Sequence, residues 1–549
     1  MERKVTALKL ASIFSDNMVL QRDYAVRVFG DTDKEEVISI SIDDIQISEK
    51  INPGKWEVVL PAHKAGGPFD MTISTIDDNK KAEAITRIKN VLYGEVWINN
   101  GQSNIEFELK DVRGGADEIK NADYPDIRYF KCIKAPVIDD AFLEEESKLS
   151  WKSVTNEQFS DISAIGYYYA TLIRDTLGVP VGLIDCYLGG TSISCWMEMD
   201  TMKQLPEAKD YLDEYNKIIK DQTTEDYENT VKEYYKRVEV FLEKEAAALK
   251  ADPDISPDEL GKITGIYPWP PPLGRTSEYR PGGLIETMFK RIAPFTVRGL
   301  VYYQGEEDTH RNYEKCMKTG ENSQYAKLLI KLISEYRRLL KNPDMPVCIL
   351  QLTMFLEKNC EDNRDWAYLR EAQELAVVET NNAHLVSLID CGEYGNVHPL
   401  DKKLPGERTA RVMLDKVYGI AGIESGDAYL TWIRYRDNRL VIKMHNTYGG
   451  LKLGENELTD YRGEITDNSL EHSSEEQQNH IYGLEVSLDG ETWYIPDAHI
   501  EGDTIVIKDD RSIDEVRYGF FNYGKVNVYN NAGIPLRPFR AKVNSNNLI

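Results

Sequence analysis

The sequence predicts an α/β protein, in which a parallel sheet with helices on both faces is flanked by an antiparallel β module at each end of the chain. Three observations predict it. Apolar strands recur through the middle of the chain with helical periodicity between them. The first 90 residues alternate apolar and polar residues in short runs, and the same alternation returns from about residue 426.

Taken in order, residues 1–90 contain NMVLQRD, YAVRVFGDTD, VISISI, WEVVLPA and DMTIST, separated by turn-forming residues. They read as an N-terminal β module. Residues 91–425 then form the α/β unit. Ile165 to Leu177 read as an amphipathic helix, with Gly178 as its C-cap and Pro180 as its stop, and Val181 to Leu188 as a buried strand. Apolar strands recur at VRGLVYY, PVCILQL and HLVSLID, and such runs belong to parallel sheets covered on both faces. Residues from about 201 to 262 interrupt the pattern with a Glu-, Lys-, Tyr- and Ala-rich stretch, predicted to be a charged helical hairpin. YPWPPPLG follows as a stiff connector. Residues 426–549 (LTWIRY, RLVIKM, GLEVSLDGETWYI, DTIVIKD, VRYGFF) form the C-terminal β module.

Composition narrows the function classes. A chain of 549 residues with formal charge −26 repels nucleic acid and anionic membrane surfaces, and it makes a neutral substrate the cheaper assumption. No run approaches the roughly 18 apolar residues of a membrane helix. The N-terminal apolar portion is too short and polar for a signal sequence, so a cytoplasmic location is expected unless a leader has been trimmed. The seven cysteines are scattered, with no C-x-x-C, which favours a reducing compartment and argues against zinc.

In an open parallel α/β sheet, ligands bind beyond the carboxyl ends of the strands. After VWI comes NNGQSN with Ser103, and after VGLIDCYL come Gly189, Gly190 and Thr191. After VRGLVYY come Gln304, Glu306, Glu307 and Asp308, and after HLVSLID comes CGEYGNVHP with His398. Together these supply a hydroxyl, close-approaching backbone N–H groups, a side-chain amide and an imidazole, the parts needed for acyl transfer. Taken singly, Ser103 could cap a helix, Gly189-Gly190 could be a plain strand-to-helix turn, and His398 could be a loop histidine. No G-x-S-x-G, HExxH, Walker A loop or GxGxxG occurs.

GQSN at 101–104, GGTSISCW at 189–196, YQGEED at 303–308 and VHPLDKKLPGER at 397–408 resemble the blocks of the SGNH-type sialate O-acetylesterases. The likeness extends to FSDNMVLQRDYAVRVFGD at 14–31 and VRYGFFNYGKVNVYNNAGIPLRPFR at 516–540. It implies an SGNH-hydrolase-like (flavodoxin-like) sheet and hydrolysis of O-acetyl esters on sugars, with no metal or cofactor. The substrate would be O-acetylated sialic acid or acetylated hemicellulose oligosaccharides (xylan, xyloglucan, mannan). By motif match, Ser103 is the nucleophile and His398 the base. The N–H groups of Ser103 and Gly189, with the Gln304 side chain, are the oxyanion donors, and Glu306 is a structural acceptor.

The chain departs from the family in two places. Asn396 stands where many relatives have an aspartate before the histidine, and Glu286 and Thr287 stand where Asn-Gly is common. The third member of a triad is therefore open between Asn396, Glu393 and Asp390. Asn396 is the His-orienting candidate, and Asn396→Asp is expected to preserve or raise activity. The same departure sustains an alternative, a non-catalytic carbohydrate-binding protein with a decayed hydrolase core. Trp196, Trp269 and Trp366 are candidates for stacking on sugars, and Arg311, Arg364 and Arg370 for holding a sugar carboxylate.

Overall fold

The structure is a computed structural model that describes residues 8–76, 82–155, 158–252, 255, 257–357, 360–454, 459–460, 480–509 and 511–543. The central elements in chain order are β1 (Ala82–Gly101), α1 (Ser103–Glu106), β2 (Tyr124–Lys131), α2 (Ala164–Leu177) and β3 (Val181–Tyr187). After these come α3 (Lys209–Ile219), α4 (Thr224–Ala251), β4 (Gly299–Tyr303) and α5 (Gln324–Leu339). The last four are β5 (Val347–Leu350), α6 (Asp365–Val378), β6 (Ala383–Val386) and α7 (Lys403–Val412).

Strands β2-β3-β1-β4-β5-β6 lie side by side in that order and all run parallel. The reason is legible in β3, whose seven residues are all buried, as a strand covered on both faces requires. Adjacent residues of β1 show the two covers directly. Tyr169 of α2 donates to Asn99 Oδ1 at 2.6 Å, and Tyr336 of α5 donates to Asn100 Oδ1 at 3.1 Å. Since successive side chains point to opposite faces, helices lie on both. From β1 the chain goes to β2 and β3 on one side and then crosses to β4 on the other. The loops after β1 and β4 therefore diverge and leave a crevice at the carboxyl ends.

The N-terminal module joins this sheet without a linker. The first half of β1 pairs antiparallel with Gly66–Ile76 and its second half pairs with β3 and β4, so the expected division at 90 falls inside a strand. The join is fixed by Glu95 in mid-strand, fully buried and bonded by Arg22 (2.5 Å), Arg298 (2.8 and 3.1 Å), Gln21 (3.1 Å) and Tyr418 (3.1 Å). A buried carboxylate is tolerable only when paired and saturated in this way.

The helical stretch forms α3 and α4. A capping box at Thr223 and Asp226 starts α4, which buries only Tyr234 and Ala248. The C-terminal module holds two four-stranded antiparallel sheets around its own core, which includes Ile433, Ile442, Ile505, Val486, Val516 and Tyr518, and which takes in Met354 and Ile389 from the central unit. The seven cysteines are all unpaired, and only Cys360 is exposed. No helix among the described residues is long and apolar enough to cross a membrane.

Candidate active site

β1 ends at Gly101, and α1 starts at once with Ser103. Gly101 has φ +137, and a Cβ there would meet the Tyr303 carbonyl oxygen at 2.0 Å. Only glycine lets the chain turn out of the sheet so close to β4. The turn presents the Ser103 hydroxyl at the strand end, and His398 Nε2 lies 2.7 Å from Oγ. Residues nearly 300 positions apart are thus in hydrogen-bond contact.

Asn104 ties the loops that hold this pair. Its amide donates to Glu306 Oε1 (2.5 Å) and to the Val397 carbonyl (3.0 Å), while its Oδ1 accepts from Lys402 Nζ (2.6 Å). The His398 ring stacks on Phe107, with centroids 5.7 Å apart and planes at 29°. Lys402 Nζ lies 5.2 Å from the same Phe107 ring. Burial, with the Lys402 charge adding to it, pushes the His398 pKa down to about 4. Burial also pulls Lys402 down to about 8. Glu306 is shifted upward by burial, and its Oε2 is buried without a partner.

Three expectations about the site need correction. Gln304 is fully buried, and its amide protons are consumed by Gln102 Oε1 (3.0 Å), the Thr191 carbonyl (3.0 Å) and Asp308 Oδ2 (2.6 Å). It is a brace for the loops rather than an open oxyanion donor. Its Oε1 is also filled, accepting from Tyr325 (2.8 Å) and Tyr302 (3.2 Å).

Asn396 does not orient the imidazole. Its Oδ1 accepts from the His398 main-chain N–H (3.0 Å), and its amide donates to Glu393 Oε2 (2.8 Å). Among the described residues, none makes a hydrogen bond to His398 Nδ1.

Glu393, another candidate third member, is already engaged. It is 3% exposed and accepts from Arg113 (3.1 Å) and the Leu400 N–H (3.2 Å) as well as from Asn396. Asp390 is committed elsewhere, in a two-pronged pair with Arg408 (2.5 and 2.7 Å). Consequently Asn396→Asp should lower stability and turnover at neutral pH, because it removes a donor and sets a second carboxylate against Glu393. A loss of about 1–3 kcal/mol in denaturant unfolding is expected. A gain in kcat/KM would reinstate the acid slot.

Gly189 sits against Ser103, since a Cβ on it would lie 3.3 Å from Ser103 Cβ. Its N–H donates to Glu106 Oε2 at 2.5 Å, and Glu106 is held by Lys134. Asp308 completes the scaffold by accepting from Ile193 N–H (2.8 Å), Tyr211 OH of α3 (2.5 Å) and Gln304. Sequence reading did not find Asn104, Glu106, Phe107 or Lys402, although Asn104 and Lys402 lie inside the motifs quoted above. Among the described residues, one His–carboxylate group, Asp43, Asp44 and His63 in the N-terminal module, has the spacing to hold a cation.

Comparison with known proteins bears on this arrangement. Residues 269–405 match the family described as carbohydrate esterase, sialic acid-specific acetylesterase. The sialate O-acetylesterase of Mus musculus is 23% identical over 434 residues, covering 72% of this chain and 71% of that protein. The chain is thus similar to the sialate O-acetylesterases over most of its length. The Homo sapiens sialate O-acetylesterase is 30% identical over 212 residues, 36% of this chain and 40% of that protein. A solved carbohydrate acetylesterase from Xanthomonas citri shares the fold, with a TM-score of 0.70 at 21% identity over 97% of this chain and 99% of that one. The motif resemblance is thus borne out, and the relationship supports a carboxylic ester hydrolase.

Proposed function

We propose that the protein is a carbohydrate O-acetylesterase of the SGNH type that works through an acetyl-enzyme on Ser103. The observation that carries this reading is the 2.7 Å contact between Ser103 Oγ and His398 Nε2 at the carboxyl end of the central strand. A serine hydroxyl needs a neighbouring base to become a nucleophile. In the proposed reaction His398 takes the hydroxyl proton as Oγ attacks the acetyl carbon, then returns it to the departing sugar oxygen. Water repeats the sequence in reverse roles and releases acetate. The oxyanion is received by the N–H groups of Ser103 and Gly189, and the acetyl oxygen displaces the Glu106 carboxylate from Gly189. The imidazole works as a pair with serine, oriented by the Phe107 stack and the Asn396-braced loop instead of a carboxylate.

The test is direct. Brief incubation with p-nitrophenyl acetate and acid quenching should leave an acetyl group on the peptide that contains Ser103. A label on another residue, or turnover with no dependence on Ser103, would sink the reading in favour of a carbohydrate-binding protein with an inactive core.

The depressed His398 pKa gives a second test. The imidazole is neutral, and able to accept a proton, above about pH 4. The acid limb of kcat/KM on a neutral ester should therefore fall near pH 4, well below the ordinary histidine value of about 6.5. By linkage, the stability gained from holding this ring neutral is lost as pH falls from 6.5 toward 4, where the unfolded chain binds the extra proton. An acid limb at or above pH 6 would contradict the geometry.

A further inference from the structure

Of the three tryptophans that could meet a sugar, Trp196 and Trp366 are 0% and 6% exposed, whereas Trp269 is 45% exposed. Trp269 stands at the site. A Cβ on Gly190 would lie 2.0 Å from its Cη2, and Gly189, one residue back, abuts Ser103. The ring is also held. Tyr279 meets it edge-on at 6.0 Å and 89°. The connector that carries it is braced by α4, where Tyr267 packs on Phe241 at 5.3 Å and a Cβ on Gly274 would fall 2.3 Å from the Tyr227 ring. A held, partly exposed aromatic beside Ser103 is arranged for a ligand that brings an apolar face of its own. Pyranose C–H groups provide such a face.

The charges nearby select among sugars. Glu106, Glu306, Glu307 and Asp308 all come from the loops around Ser103 and Gln304. Among the cations on neighbouring segments, Lys134 faces Glu106, Arg311 faces Glu214 and Arg113 faces Glu393, while Arg280 bonds the Pro136 and Ser277 carbonyls. Lys402 is buried on Asn104, and Arg370 is fully buried with its guanidinium on the Thr353 and Phe521 carbonyls. A sugar acid would enter among carboxylates and find those cations occupied.

We propose that Trp269 is the sugar platform of this site and selects a neutral acetylated sugar ring, stacked on its indole, over an acetylated sugar acid. The proposal rests on the esterase reading above and names its substrate class.

Acetate release is to be measured from acetylated xylo- and manno-oligosaccharides, from O-acetylated sialic acid and from p-nitrophenyl acetate, with wild type, Trp269→Ala and Trp269→Phe. Wild type should favour the neutral oligosaccharides. Trp269→Ala should lower their kcat/KM about tenfold more than that of p-nitrophenyl acetate, mainly through KM, and Trp269→Phe should recover most of the difference. A preference for sialic acid, or equal losses on every substrate, overturns the proposal. Calorimetric titration of Ser103→Ala with the same oligosaccharides reads binding without turnover. Weaker binding on adding Trp269→Ala supports the platform, and unchanged or absent binding overturns it. Failure of the esterase reading is seen separately, as p-nitrophenyl acetate hydrolysis that survives Ser103→Ala.

Discussion

Ser103→Ala should lower kcat for p-nitrophenyl acetate by at least roughly 1,000-fold while leaving the unfolding transition nearly where it was. The hydroxyl has a single side-chain partner, His398 Nε2, and sits half-buried at a strand end, so its removal opens no core cavity and strands no buried donor. His398→Ala should cost a similar factor. Because the two groups move one proton between them, the double variant should be scarcely worse than either single one. Additive losses would mean that serine and histidine serve separate steps. A Ser103→Ala protein within tenfold of wild type would remove the serine route altogether.

The second large effect concerns stability. Arg408→Met should destabilise the fold by about 3–5 kcal/mol, read by denaturant unfolding, because it leaves the Asp390 carboxylate buried without its partner. Arg408 on α7 bonds both oxygens of Asp390 and also donates to the Ser387 carbonyl at 3.1 Å, clamping the helix to the loop that leads toward His398. Burial alone would raise the Asp390 pKa, but the guanidinium outweighs it and the net shift is downward. A depressed carboxylate pKa contributes stability above its unfolded value of about 3.9 and loses it as pH falls through the folded one. Adding Asp390→Asn to Arg408→Met should restore part of the loss, since no charge then remains buried. The same pair explains how a change at Asp390 can abolish turnover without that carboxylate touching the imidazole. Unfolding curves separate the two causes, and a fully folded but inactive Asp390→Asn protein would return Asp390 to the catalytic group.

Ser103 and His398 are legible as candidates because strand ends are readable, an apolar run followed by small and polar residues. The sequence could not expose what Gln304 does. An amide after a strand looks like a donor waiting for a substrate, and only the fold brings Gln102, Thr191 and Asp308 from three segments to use it up. Asn396 was misjudged for a related reason. Its position before His398 is visible in the chain, but whether its carbonyl reaches the ring or the main-chain N–H depends on a tight local turn. Trp269 lay in a proline-rich connector without periodicity, where nothing local distinguishes a buried indole from a presented one. Glu393 stands near His398 in the chain, but its carboxylate is bonded by Arg113.

The 20-residue strand β1 has a consequence for how this protein can be cut or recombined. Its start belongs to the N-terminal module, its middle holds Glu95 between Arg22 and Arg298, and its end presents Ser103. No seam lies between the module and the chemistry. A truncation at residue 90, natural at first sight, would sever a strand and strip Glu95 of Arg22 at once. The module therefore cannot be exchanged like a cassette. Grafts that respect the protein's joints must carry the stretch through Ser103 whole, and the C-terminal module is joined as well, by Met354 and Ile389 in its core and by Arg537 on Glu374.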